Sequence, residues 1–356
     1  MWNSTRLTDQ LSIVYPIVQA GMAGSTTPEL VAAISNEGGL GTIGAGYMTL
    51  DNLRDEIKAI RNLTNKSFAV NLFVPEDIQY NDSDVQKMQK ELKPYYDRYD
   101  LKTADVKAHS EQTFLDKIQL LMDMEVPVAS FTFGIPSQSL INELKKKGMI
   151  TIGTASSVEE ARMIEQSGLD MVVAQGYEAG GHKGAFTKTR SIGTMALIPQ
   201  IVDSVSIPVI AAGGIMDARG ILASVMLGAS GVQMGTAFLT THESKAPNVH
   251  KEAIIHAQPE DTTVTKVFSG KSARGIENNF INDLEASVVN ILPYPLQNDL
   301  TTSIRQSAAK NGDTGLLHMW CGQAPTLAKK VNAQGLFREI VAHIDQLILD
   351  FKMNNI

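Results

Sequence analysis

The sequence predicts an α/β protein folded as a (β/α)8 TIM barrel, followed by a smaller, mostly helical C-terminal lid segment. Three observations carry that expectation. Short β-branched apolar runs alternate with longer amphipathic segments from about residue 14 to about residue 238. The runs are nearly all apolar, as in strands of a parallel sheet covered by helices. Eight of them are present, the number at which such a sheet closes on itself.

PIVQAG (16–21) reads as the first strand, and TTPELVAAISNEGG (26–39) as a helix opened by a Thr cap with Pro just inside and closed by glycine. LGTIG (40–44) is the second strand, followed by the helix LDNLRDEIKAIRNLT. FAVNLFV (68–74) and VPVASFTFG (126–134) are the third and fourth. Between them lie a polar insertion from Pro75 to about Lys107 and the helical SEQTFLDKIQLLMDME. MITIGTA (149–155) is the fifth, and its helix SSVEEARMIEQSG has Ser caps and a Glu-rich first turn that suit the positive end of the helix dipole. MVVAQG (171–176) is the sixth, IPVIAAGG (207–214) the seventh and GVQMGTAF (231–238) the eighth, with TMALIPQIVDSVS and MDARGILASVMLG as the intervening helices.

The same pattern permits a doubly wound open sheet. Its fingerprint is absent, however. Gly39, Gly41 and Gly44 have dinucleotide-fingerprint spacing, but a helix precedes them and a strand starts within them, the reverse of strand, turn, helix. The barrel is assigned to residues 1–238. Residues 239–356 form the lid on the substrate side and supply a closing outer helix, LFREIVAHIDQLILDFKMNNI. SGKS in this part lacks the leading glycine of a nucleotide loop, which is Thr265 here.

Composition narrows the function. With 43% hydrophobic and 19% charged residues the chain is an ordinary folded protein. A net charge of −7 and the lack of a basic stripe argue against a nucleic-acid partner. The single cysteine, Cys321, excludes a disulfide within the chain and a thiolate metal site, which fits a reducing, cytoplasmic setting. No apolar run is long enough to span a bilayer, so no membrane partner is expected, and no metal.

Barrel active sites lie at the carboxyl ends of the strands, with phosphate often gripped after strands seven and eight. There the sequence places Gly213 and Gly214 in AAGGI, and Gln233, Met234, Gly235 and Thr236 in the last strand. Small residues expose N–H groups to phosphate oxygens, although glycines also serve plain tight turns. Gln19, Asn71 and Gln175 are strand-end amides that suit a heteroaromatic ring with alternating carbonyls and nitrogens, or that tie down loops. Met22 suits a flat ring or a core gap. His182 stands in AQGYEAGGHKGAF behind Gly180 and Gly181, where it can reach substrate and titrate near neutrality, or anchor its loop.

Together PIVQAGMAG, GGLGTIGAG, the Asn of AVNLFVP, AQGYEAGGHKG, IPVIAAGGI and GVQMGTAF resemble the nitronate monooxygenase family, formerly called 2-nitropropane dioxygenase. The resemblance runs from about residue 13 to about residue 340, through SGKSARGI and WCGQAP. It implies a non-covalent flavin mononucleotide (FMN), with its phosphate at Gly214 and Gln233 to Thr236 and its ring near Met22, Asn71, Gln175 and Gly180. It also implies that His182 is catalytic, as a base or as an imidazolium that holds the anionic substrate, the second role mattering more for a substrate already deprotonated. Family members oxidise alkyl nitronates, propionate 3-nitronate especially, with molecular oxygen to a carbonyl compound and nitrite or nitrate. Detoxification is the implied purpose, and a homo-oligomer is left open. Flavin-dependent enoyl-acyl-carrier-protein reductases share the Gly-Gly-His loop and are the alternative, using a reduced nicotinamide; a non-catalytic flavin-binding protein is another. The AFTKTRS segment fits the family least well.

Overall fold

A computed structural model describes residues 2–107, 110–188 and 191–353. Thr189 and Arg190 of AFTKTRS, and the last three residues of the expected terminal helix, lie outside the described residues. Eight strands run parallel in one sheet: β1 (Ile17–Gln19), β2 (Gly41–Gly44), β3 (Phe68–Phe73), β4 (Val128–Thr132), β5 (Ile150–Ala155), β6 (Met171–Gln175), β8 (Val209–Ala212) and β9 (Gly231–Met234). Their spatial order is β1-β9-β8-β6-β5-β4-β3-β2. The two ends meet at a parallel bridge between Val18 and Leu40, where Gln19 N donates to Leu40 O at 2.9 Å and Leu40 N to Ile17 O at 3.0 Å. This seam closes the barrel, as the eight apolar runs predict.

Local chemistry sets each unit. Thr27 accepts a hydrogen bond from Leu30 N and caps the helix Pro28–Asn36, with Pro28 at its first turn. Ser157 caps Val158–Gln166 in the same way through Glu160 N. A Cβ on Gly41 would lie 2.2 Å from Val31 O, so only glycine lets β2 pass that close to its neighbouring helix. Inward residues such as Val18, Leu40, Ile152, Val173 and Ile210 pack with Leu7 and Leu11 of the helix Arg6–Leu11. The outward neighbours Val172 and Ala174 join the layer between sheet and helices. The C-terminal helix Ala333–Met353 lays Leu336, Phe337, Ile340 and Ile344 into the same cluster as Leu30, Ile34 and Ile221.

One predicted boundary is corrected. The eighth strand stops at Met234, and Thr236–Leu239 is a helical turn. The ladder ends there because its partner β1 stops at Gln19, with Ala20 N donating to Met234 O as the last bond.

A second body of structure covers the carboxyl-terminal mouth. The insertion after β3 contains the helix Asp82–Arg98, whose Val85, Met88, Leu92 and Tyr96 pack against Phe268, Phe280, Leu300 and Ile304. A small antiparallel sheet of β10 (Thr262–Thr265), β11 (Ala273–Ile276) and β7 (Gly181–His182) joins this lid to the glycine loop after β6. No helix among the described residues is long and apolar enough to cross a membrane.

Candidate active site at the barrel mouth

His182 sits in β7 opposite Ala273 of β11, so the lid's sheet fixes the backbone of the loop that carries it. Its Nε2 lies 2.8 Å from Ser269 Oγ. Four aromatic rings surround the half-buried imidazole, at centroid distances of 5.6 Å for Trp320, 5.7 Å for Phe133, 6.3 Å for Phe73 and 6.4 Å for Tyr294. Removal from water, followed by the positive charges of Arg305 and Lys271, pushes its pKa down to about 3. The free protein therefore holds a neutral imidazole at neutral pH, in place of the near-neutral titration and imidazolium that the sequence suggested.

The glycines around it have different reasons. A Cβ on Gly180 would meet the backbone of Cys321 at 2.3 Å, and one on Gly184 would meet Thr154 Cγ2 at 2.6 Å. Only Gly181, at φ +69°, faces open space, with no atom within 4 Å of the missing Cβ. Gln175 staples the loop: its Nε2 donates to His182 O at 3.1 Å and its Oε1 accepts from Gly184 N at 2.7 Å.

The other two amides are placed differently. Gln19 is fully buried in the seam, its Oε1 accepting from Thr42 N at 2.9 Å and its Nε2 donating to Ala20 O, so both ends are engaged by backbone. Asn71 donates to Ser130 Oγ at 2.9 Å and Thr132 Oγ1 at 3.0 Å. Its carbonyl oxygen takes no donor among the described residues, which leaves it for an incoming N–H. Gly21 lets the AGMAG loop approach Asn71, whose Cβ would be 2.7 Å from an added one. Half-buried Met22, next to Gly21 in the chain, packs against the clusters that hold Met234 and Phe238 and that hold Leu239 and Cys321.

At the opposite rim, Gly213 (φ +118°) and Gly214 (φ +70°) end β8 in backbone conformations that favour glycine. No acceptor among the described residues takes the N–H of Gly214, Gly235 or Thr236. Thr236 Oγ1 accepts from Gly322 N at 2.8 Å and keeps its own proton to donate. Gln233 is the half-buried member of an otherwise buried strand, whereas the Met234 side chain is sealed in the outer core. Glu178 caps the helix Thr194–Val202, accepting from Thr194 N at 2.8 Å and Thr194 Oγ1 at 2.7 Å, so that helix end is already occupied by an anion.

Sequence reasoning assigned no role to Ser269, Phe133, Tyr294, Trp320, Lys271, Arg305 or Glu178. Ser269 and Lys271 stand in SGKSARGI and Trp320 in WCGQAP, but nothing in local spacing says that these segments face residue 182. Phe133 adopts φ +76°, an outlying conformation for a bulky residue and a form of strain that clusters at functional sites.

A family model described as nitronate monooxygenase matches residues 4–343. A probable nitronate monooxygenase of Staphylococcus aureus (strain MSSA476) is 54% identical over 352 residues, 98% of this chain and 99% of that protein. Among solved structures, a nitroalkane oxidase from Streptomyces ansochromogenes superposes with a TM-score of 0.90 at 37% identity, covering 97% of this chain and 99% of that one. FabK from Thermotoga maritima superposes with a TM-score of 0.78 at 33% identity, covering 98% and 99%.

Proposed function

The chain belongs to the nitronate monooxygenase family, and from that premise we propose that this oxidoreductase uses FMN and molecular oxygen to convert alkyl nitronates, propionate 3-nitronate among them, to carbonyl compounds and nitrite or nitrate. The residues at the mouth suit the cofactor. Unengaged N–H groups at Gly214, Gly235 and Thr236, with Gly213 and Gln233 beside them, would hold its phosphate. Met22, Asn71, Gln175 and the open side of Gly181 would hold its ring. When bound, the flavin supplies the electron chemistry with oxygen.

The chain's own part is positioning. In the tautomer where Ser269 donates to Lys271 O, the His182 Nε2–H donates to Ser269 Oγ and Nδ1 keeps its lone pair. A nitronate is already deprotonated at the carbon next to nitrogen, so a neutral imidazole so oriented serves to position the substrate and to accept a hydrogen bond from it. The aromatic rings around it exclude water from that contact. Positive charge for an anionic substrate comes from Lys271 and Arg305, the two cations that depress the imidazole.

The observation that carries this reading is His182 held against Ser269 beside the open face of Gly181. Purified protein is expected to be yellow, to consume oxygen with propionate 3-nitronate and to ignore reduced nicotinamides. The likeness to Thermotoga FabK makes a reductase the competing reading. Anaerobic bleaching of the flavin by NADH or NADPH without nitronate turnover decides for it.

A further inference from the structure

Beside the histidine loop lies a cleft of about 380 Å3 whose lining includes Gln175, Tyr177, Lys183, Lys271 and Tyr294. Tyr294 also packs 6.4 Å from His182, so the cleft reaches the surroundings of the imidazole. Of its four lysines, Lys271 is ion-paired with Glu76, and Lys188 and Lys266 are exposed to water. Lys183 is different. Its backbone N–H donates to Ser272 O at 2.8 Å, which pins the main chain, and its side chain turns back on its own loop. There Nζ donates to Tyr177 O at 2.7 Å and to Ala179 O at 2.6 Å, and lies 5.3 Å from the centroid of the Tyr177 ring.

A second cation crowds the same ring and the same carbonyl. Buried Arg274 places its guanidinium carbon 4.5 Å from the Tyr177 centroid and donates from Nε to Tyr177 O at 3.2 Å. Its Nη1 goes to Thr262 Oγ1 at 3.0 Å, and its Nη2 has no partner among the described residues. Neither cation forms an ion pair among the described residues. The carboxylate that acts on Lys183, Glu178, is itself engaged by Thr194. Two desolvated cations that share a ring and a carbonyl disfavour each other's charge, and only the lysine can release a proton. Burial first, and then Arg274, push the pKa of Lys183 down to about 7. With two N–H groups held by the two carbonyls, the third position of the nitrogen is left for its lone pair, and no partner takes it among the described residues. This is the setting of a nucleophilic amine.

We propose that Lys183 is a carbonyl-reactive amine that captures a small aldehyde in this cleft as a reversible Schiff base. The aldehyde is the carbonyl product of a primary nitronate, so its source rests on the nitronate reading, whereas the capture itself does not. The lone pair of the amine adds to the carbonyl carbon, the carbonyl oxygen leaves as water with the two amine protons, and a C=N bond replaces C=O without oxidation or reduction. One further proton from solvent gives the iminium, which keeps an N–H for Tyr177 O or Ala179 O. The adduct fills the cleft beside His182, so turnover slows reversibly as aldehyde accumulates.

In the test, flavin-loaded enzyme is incubated at pH 7 with propanal, the aldehyde that propyl 1-nitronate would yield, and the imine is trapped with cyanoborohydride before peptide mass mapping. One propyl group is expected, on Lys183. An exposed lysine holds a free amine less than about 0.1% of the time at pH 7, so Lys183 should be labelled about tenfold or more faster than Lys188 and Lys266. Oxygen consumption with propyl 1-nitronate should fall after incubation with propanal and recover on dialysis. Lys183→Arg, which keeps a charge for the two carbonyls but offers no amine, should escape both the label and the inhibition. Lys183→Met takes its place if the arginine variant does not fold, and the peptide map of the unmodified enzyme needs neither. Absence of the adduct, labelling of Lys183 no faster than of the exposed lysines, or equal inhibition of Lys183→Arg overturns the capture. If propanal marks Lys183 but no nitronate is turned over, the capture stands and the nitronate reading falls.

Discussion

Inside the barrel, Val18, Leu40, Ala69, Val128, Ile152 and Ile210 form an apolar layer, with the buried polar residues Thr42, Asn71, Ser130 and Thr154 further along the same strands, whereas the lid buries Tyr96, Gln297, Thr301 and Arg305 beside Phe268 and Leu300. The polar groups in the lid are joints between distant segments. Tyr96 donates to Leu300 O at 2.6 Å, Gln297 Nε2 to Val267 O at 2.8 Å, and Thr301 Oγ1 to Phe268 O. In that layer of the barrel, continuous ladders between neighbouring strands already satisfy the backbone, and apolar side chains suffice to fill the space. The lid's segments share only short ladders, so side chains take over the pairing of their backbones. A mouth built this way also tolerates charge close to the chemistry, as Arg305 and Lys271 show.

His182 lies where the two regions meet, and there the largest effect is expected. His182→Asn should lower kcat/KM for nitronate by roughly 10²-fold, the scale of a lost substrate-positioning contact, while the flavin stays bound. Retained flavin absorbance together with lost oxygen consumption checks it; an unchanged rate removes the imidazole from the mechanism.

Next comes a direct test of the two interiors. Leu300→Ala and Ile210→Ala each remove a buried aliphatic side chain and should each cost about 2–5 kcal/mol. Hydrogen exchange should distinguish them. Loss of Leu300 is expected to open the lid amides first and leave β3 to β6 protected, while loss of Ile210 should lower protection throughout the barrel. Identical exchange patterns would erase the distinction between the regions.

Acid should act through the lid's side of the mouth. Burial lowers the pKa of His182 to about 3 and of His250 to about 4, and holds His318 well below its usual value. Each is neutral when folded but binds a proton near pH 6.5 when unfolded. The unfolded state thus holds more protons below that pH, and stability, complete above about pH 7, falls as pH drops towards the folded values. The slope should be of order 1 kcal/mol per pH unit for each histidine, read from urea midpoints between pH 8 and pH 5. A flat profile, or one that His250→Asn leaves unaltered, contradicts the neutral assignment.

The smallest effect is expected at Gly181. Alanine there meets no atom within 4 Å but must accept φ +69°, at about 1–2 kcal/mol. A midpoint shift beyond that range would show that the open face is more constrained than the barrel's other glycine turns.

Local pattern alone determined the barrel, because each strand and its helix form within a short stretch whose apolar period, caps and glycine stops are written next to one another. It also located the neighbourhood of the carboxyl ends of β3, β6 and β8, and so of Asn71, Gln175 and Gly214, since parallel strands put all their carboxyl ends on one face. Tertiary structure decided the rest. That Gln19 is spent on the seam, that β9 stops before Gly235, that Ser269 holds His182 from 87 positions away and that burial, with two nearby cations, lowers the imidazole's pKa all depend on contacts between remote segments. Such contacts leave no trace in periodicity. The charge state of the histidine in particular is set by desolvation and by neighbours in space, neither of which is defined until the lid's sheet has closed over the barrel mouth.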